Sequence, residues 1–214
     1  MRSLQSEKPT FLYGLLRPAR KPFGGRADYD GAAMRTPLRL FSLGHSTRTL
    51  PAFLAIAAAH GIRGIADVRA LPASGRQPWF NRQPFGAALA DRGLAYDWLG
   101  KALGGGRADV RAPEVAALRE PAFRGYAAHM ATPAFAAGVE RLLAIAAQRT
   151  TAILCAEAAP DACHRRFLCD ALLLRGVEVI HVLDETRTRP HEPHPALVAR
   201  GLVPTYPPLQ ASLF

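Results

Sequence analysis

Long apolar runs are missing from this chain. No segment approaches the length of a membrane span, and the N-terminus lacks the apolar stretch of a secretory signal. Cysteine is scarce, with three in 214 residues. An odd and small number gives no disulfide framework, so a cytoplasmic protein with reduced thiols is the expectation. Paired Cys-x2-Cys spacing is absent too. Cys155, Cys163, His164 and His45 offer soft or borderline ligand atoms without the pattern of a structural zinc site, and neither a metal nor a cofactor is expected. Gly104-Gly105-Gly106 is not followed by the Lys-Ser/Thr of a phosphate-binding loop, which excludes a nucleotide loop of that type. Acidic side chains are the other shortage, 17 against 27 Lys and Arg, for a net charge of +10 and a pI near 10.4. Such a balance suits a polyanionic partner, nucleic acid above all.

With 49% hydrophobic residues, the chain suffices for one substantial α/β domain and is short for two. Residues 1–36 are rich in Arg, Lys, Gly and Pro, show no sustained period, and read as a basic disordered tail. Met34 is a candidate start. The 33 residues before it hold six Lys or Arg against three Asp or Glu, so without them the net charge falls by three from +10 and the basic character survives.

The organising stretch is 151–182. Thr151 to Cys155 is short, apolar and β-prone, and Pro160-Asp161 closes the loop after it. Asp161 is a candidate N-cap for a helix from near Ala162, whose apolar stripe of Phe167, Leu168, Ala171, Leu172 and Leu174 stops at Gly176. Val177 to Val182 is the next strand. This βαβ unit places Cys155, Glu157, Cys163, His164 and Arg165 outside the carboxyl end of a strand, where ligands of such folds bind. Cys163 in the first helical turn, beside His164, Arg165 and Arg166, has the positive surroundings that favour a thiolate. Cys169, among apolar neighbours, reads as core.

Upstream, Leu38 to Leu43 reads as a strand, Leu50 to His60 as a helix, and Gly64 to Val68 as a second strand. They place His45, Asp67 and Arg69 at strand ends as well. Asp67 and Arg69 are two apart, on one face, and either bind ligand or orient their own loops. The loop from Arg69 to Arg82 interleaves Arg76 and Arg82 with Trp79, Phe80 and Asn81, a set suited to phosphate contacts and base stacking or to plugging the core edge. A helix from Phe85 to Arg92 and a strand from Leu94 to Trp98 come next. Leu99 to Glu120 is a long Gly, Arg and Ala segment that would cover the site as a lid. Helices are expected over Phe123 to Met130 and Pro133 to Gln148. The predicted fold is a single three-layer α/β domain over 37–183, a mainly parallel sheet flanked by helices, with a Pro-rich tail over 184–214.

Gly44-His45-Ser46, Asp67-Val68-Arg69, Phe123-Arg124-Gly125-Tyr126, Cys155-Ala156-Glu157 and Cys163-His164-Arg165, in this order over about 38–183, closely resemble the bacterial domain-of-unknown-function family 488. The resemblance implies the fold, the site location and a start near Met34, and it supplies no reaction. A second resemblance is to rhodanese-like domains, where an Asp-Val-Arg strand end precedes a strand ending in the catalytic cysteine. Cys155 would match that cysteine, but Glu157 lies just after it and the loop is longer than that family's cradle. The C-terminal Gln210-Ala211-Ser212-Leu213-Phe214 resembles the short peptide by which bacterial DNA polymerases and repair proteins dock on the sliding clamp.

Three functional readings are open. The first is an enzyme on a phosphate-bearing or nucleic-acid substrate in a DNA-maintenance context. In it Arg69 and Arg165 hold anions, His45 or His164 moves protons, Cys155 or Cys163 is the nucleophile, and Asp67 and Glu157 complete the site. The second is a rhodanese-like persulfide transferase. The third is a non-enzymatic nucleic-acid-associated or metal-binding protein.

Overall fold

Five strands of the chain are short, apolar and joined through helices, and they pair in parallel. The computed structural model describes residues 37–208. The expected basic tail, and the peptide containing Gln210, Leu213 and Phe214, lie outside the described residues. In chain order the elements are β1 (Arg39–Gly44), α1 (Leu50–Ala59), β2 (Gly64–Asp67), α2 (Arg82–Ala90), β3 (Ala95–Trp98), α3 (Gly100–Leu103), α4 (Pro121–His129), α5 (Pro133–Ala146), β4 (Thr151–Cys155), α6 (Arg165–Leu173) and β5 (Glu178–Val182). Three short strands follow, β6 (Thr188–Pro190), β7 (Val198–Arg200) and β8 (Val203–Thr205).

The six-stranded sheet runs β3-β2-β4-β1-β5-β6, parallel throughout except for β6 at one edge. Each face is covered. One apolar cluster joins Phe53 and Ile56 of α1, Phe85 and Leu89 of α2, and Leu43 and Ile65 of the sheet. The other joins Tyr126, Leu142, Leu168 and Leu172 of α4, α5 and α6 to Leu40, Ile153 and Val179. This is the α/β class that the alternation of elements predicts. Among the described residues no helix is long and apolar enough to cross a membrane.

Two differences from the sequence-based expectation bear on the site. Residues Pro160–Ala162 form a 3₁₀ turn, and α6 begins only at Arg165. Asp161 is not its cap; its carboxylate meets Arg189 at 2.8 Å. The segment after Leu183, expected as a tail, pairs β6 with β5, forms the β7–β8 hairpin and buries Ala196 and Tyr206. Its anchor is Asp170. That fully buried carboxylate accepts hydrogen bonds from the Tyr206 hydroxyl at 2.8 Å, from His191 Nε2 at 2.8 Å and from the His194 amide at 3.3 Å.

Candidate functional site

At the carboxyl ends of β1, β2 and β4 the sheet brings together His45, Asp67, Arg69, Cys155 and, from the turn entering α6, Cys163, His164 and Arg165. Strand register accounts for the first contacts, since Gly44 pairs with Cys155 and Asp67 with Leu154. The His45 amide then donates to the Cys155 carbonyl at 3.0 Å, and the Ser46 amide to Ala156 at 2.7 Å. Ser46 adopts φ 48°, a left-handed conformation that no other non-glycine among the described residues shares. Gly44 is required here because a Cβ would collide with the Glu157 carbonyl.

The two thiols are buried, Cys155 with 7% and Cys163 with 2% of its surface exposed. Cys163 lies just before α6 in extended conformation, so it is not inside the first turn. Its sulfur instead takes the place of a capping oxygen. Sγ accepts from the Arg165 amide at 3.5 Å and from Arg165 Nε at 3.4 Å. Imidazole Nδ1 of His164 lies 3.7 Å from Cys155 Sγ and 3.7 Å from Cys163 Sγ. The other ring nitrogen, Nε2, is 3.2 Å from the Val68 carbonyl, which can only accept, so Nε2 carries a proton and Nδ1 is the nitrogen turned to the sulfurs. Gly105 covers this ring closely enough that a Cβ would approach Nδ1 to 3.0 Å, and Tyr126 meets the ring edge-on at 4.9 Å. The Gly-rich segment therefore does cover the site, packed and not open.

Among the described residues Arg165 is the largest fully buried side chain, 1% exposed. Its guanidinium donates to Ser42 Oγ at 3.1 Å, to the Glu157 and Ala158 carbonyls, and to Cys163 Sγ. Among the described residues no carboxylate pairs with it. A hydrogen bond from Cys155 pulls the Cys163 thiol well below its ordinary range against the opposing effect of burial, and His164 and Arg165 act in the same direction. Cys155 moves up, through that same hydrogen bond and burial. Of the two thiols, Cys163 is the one whose thiolate form these surroundings favour.

His45, Asp67 and Arg69 form a separate network. Asp67 accepts from Arg69 Nε at 2.9 Å, from Arg69 Nη2 at 2.6 Å, from the Arg69 amide at 3.0 Å and from the Tyr96 hydroxyl at 2.7 Å. Arg69 Nη1 donates to His45 Nε2 at 3.2 Å, leaving Nδ1–H to donate to the Ser46 carbonyl at 3.0 Å. Both nitrogens of His45 are committed, its ring stacks on Phe80 at 4.4 Å, and burial holds it below its ordinary value and neutral. The Asp67-Arg69 pair thus orients its own loops, the structural alternative of the two that the sequence left open.

Glu157 contributes its carbonyl, while its side chain is exposed. Phe80 is wholly buried, so its ring offers no face to a base, and Asn81 Oδ1 accepts from the Ser74 amide to shape the loop. Arg82 lies over the Trp98 ring at 4.3 Å. Trp79, at 37% exposed, and Arg76 remain on the surface with it. Ser42 and Tyr96 are site residues that the sequence alone does not single out, whereas Tyr126 stands in the Phe123-Arg124-Gly125-Tyr126 motif without a role assigned to it. A hydroxyl inside an apolar strand is the one signal for Ser42, and Tyr96 carries none.

The family model "Domain of unknown function DUF488" matches residues 49–172. The chain belongs to this family. The match to DUF488 takes in Asp67, Arg69, Cys155, Cys163, His164 and Arg165, and stops short of His45 and Ser42 on one side and of His181 and His191 on the other. No curated protein and no solved structure gives a significant match to this DUF488 chain.

Proposed function

We propose that the protein is a cysteine-dependent enzyme in which the Cys163 thiolate is the nucleophile. The observation that carries this reading is the buried Arg165 guanidinium, whose anionic partner is the Cys163 sulfur. A buried cation is tolerated when an anion and hydrogen bonds satisfy it, and a thiolate is the nucleophilic form of cysteine. In the proposed reaction the proton given up by Cys163 is held on His164 Nδ1, 3.7 Å from the sulfur, as a thiolate–imidazolium pair. The sulfur lone pair forms a bond to the electrophilic atom of the substrate, and His164 returns the proton to the group that leaves with the electrons of the broken bond. Cys155 keeps its proton and steadies the thiolate, so in the persulfide version of this chemistry Cys163 and not Cys155 would carry the transferred sulfur. The segment over Gly105 would have to move to admit a substrate.

Iodoacetamide labelling across a pH series tests the proposal. Cys163 is expected to alkylate with a midpoint well below pH 8.5, about the pKa of an ordinary thiol. A midpoint at that value would remove the poised nucleophile.

Because Arg69 and Arg165 are committed internally, the proposed anion contacts fall to exposed Arg76 and Arg82 with Trp79, and the proposed substrate context is nucleic acid in DNA maintenance. An Arg76→Ala, Arg82→Ala variant should bind single-stranded DNA about tenfold more weakly than the parent at low salt, with a shallower salt dependence. Removing Leu213 and Phe214 side chains should abolish any binding to purified sliding clamp. Equal binding by parent and variant would end the respective assignment.

A second reading rests on a specific distance. In a tetrahedral zinc site the S···N edge is about 3.6 Å. Both cysteine sulfurs stand 3.7 Å from His164 Nδ1, and the anchored Nε2–H fixes the ligating tautomer. Stoichiometric zinc in the purified protein, lost on Cys163→Ser together with resistance of Cys163 to alkylation, would favour that reading over the free thiolate.

A further inference from the structure

A second cluster of ligand-type side chains lies on the same face of the sheet, under the middle of α6, and takes no part in the thiol site. Cys169, His181 and His191 each offer one ligand atom, and these three atoms all lie within 4.8 Å of one another. Their placement comes from three separate elements. Cys169 is on the inner face of α6, His181 is on β5 opposite Ser42 of β1, and His191 is the residue directly after β6. Cys169 is fully buried and His181 is 2% exposed.

The hydrogen bonds around the cluster are those of a prepared ligand set. His191 Nε2 is 2.8 Å from Asp170 Oδ1, and Asp170 is held in turn by Tyr206. A carboxylate accepting from one ring nitrogen fixes the proton there and leaves the other nitrogen as a lone pair, the arrangement that orients metal-binding histidines. That free nitrogen, Nδ1, faces His181 Nε2 at 3.1 Å. The N···N edge of tetrahedral zinc is about 3.3 Å, so the two rings already stand close to the spacing of a shared ion. His181 Nδ1 is buried with no hydrogen-bond partner among the described residues. With no partner at Nδ1 among the described residues, nothing fixes the tautomer of His181, and its Nε2 is free to present a lone pair to an ion.

We propose that Cys169, His181 and His191 bind a divalent transition-metal cation of the zinc class, with Asp170 orienting His191. On binding, the Cys169 thiol releases its proton to solvent and its sulfur coordinates the ion. The resulting thiolate and the Asp170 carboxylate together balance the two positive charges in an otherwise dry interior. The soft sulfur with two imidazoles selects zinc, cobalt or copper over magnesium and calcium. Because β6 and the chain beyond it supply His191, the ion would fasten the C-terminal segment to the sheet and to α6.

Cobalt(II) titration of the chelator-treated full chain tests this independently of the thiol reading. The chain has three cysteines, so in a Cys155→Ser, Cys163→Ser variant the one remaining thiol is Cys169. That variant is expected to develop a thiolate-to-cobalt charge-transfer band at one equivalent, with folding verified by near-ultraviolet circular dichroism. In the otherwise unaltered chain, Asp170→Asn should weaken the Cys169-dependent binding about 10- to 100-fold, the range seen when a partner of a metal-bound histidine is lost. His191→Gln should remove it. No band in the folded double-serine variant, or full binding retained by His191→Gln, would overturn the proposal. Should the double-serine variant fail to fold, the His191→Gln titration decides alone: loss of one equivalent supports the site, and unchanged stoichiometry overturns it.

Discussion

Arg165→Leu is expected to destabilise the protein by about 3–5 kcal/mol, the cost of removing one partner of a buried ion pair and leaving the other uncompensated. It should also move Cys163 alkylation into the alkaline range. The two effects have one origin. The guanidinium binds Cys163, Ser42 and the Glu157 and Ala158 carbonyls at once, so its loss strips a positive charge from the sulfur and orphans several acceptors. The stability of the parent should carry the same signature. Cys163 has its folded pKa held below the unfolded value of about 8.5, so the contribution is complete above that pH and is lost as pH falls towards the folded pKa. In Arg165→Leu that slope should flatten. Urea unfolding at several pH values, with alkylation measured on the same samples, checks both. If Cys163 were neutral in the folded protein, Arg165 would be a bare buried cation, and leucine there would be neutral or stabilising. That outcome would remove the thiolate. Arg165→Lys keeps the charge without the planar fork and should fall between the two.

Sequence reasoning locates these groups but misjudges which way they face, and the reasons are physical. β4 is legible because five consecutive apolar or β-branched residues leave no other period, and Pro160 limits how far it can run past Cys155. The start of α6 reads three residues early. Asp161 looks like a cap locally, but it is drawn to Arg189, 28 residues further on, and no local pattern reports that distance. The burial of Arg165 is equally hidden. An arginine at a helix start normally reaches solvent, and this one turns inward because the 157–158 carbonyls converge on it, which in turn needs Gly44 to lack a side chain. The same holds for residues 184–208. Their prolines read as a tail, yet one buried carboxylate on α6, Asp170, collects Tyr206, His191 and the His194 amide. Pairing across the fold, not propensity, decides each of these.

Asp67→Ala is the second substitution with a large expected effect, about 3–5 kcal/mol from the unpaired Arg69 cation alone. The fully buried carboxylate is the acceptor for three hydrogen-bonding nitrogens of Arg69 and for the Tyr96 hydroxyl. Arg69 in turn sets the tautomer of His45, and its carbonyl accepts from Trp98 Nε1 at 2.9 Å, so one carboxylate holds the ends of β1, β2 and β3 in register around the site. Asn at this position keeps one acceptor oxygen without the charge and should cost less. An Asp67→Leu, Arg69→Met double variant removes the cation along with its partner and should recover most of the loss, since a buried ion pair replaced by apolar groups of similar size is often close to neutral. Denaturant unfolding with an unchanged m value measures all four proteins on one scale. Were Asp67→Ala as stable as the parent, the pair would have a spare charge to offer, and the ligand-facing alternative that two polar residues at a strand end suggest would have to be taken up again in place of the structural one.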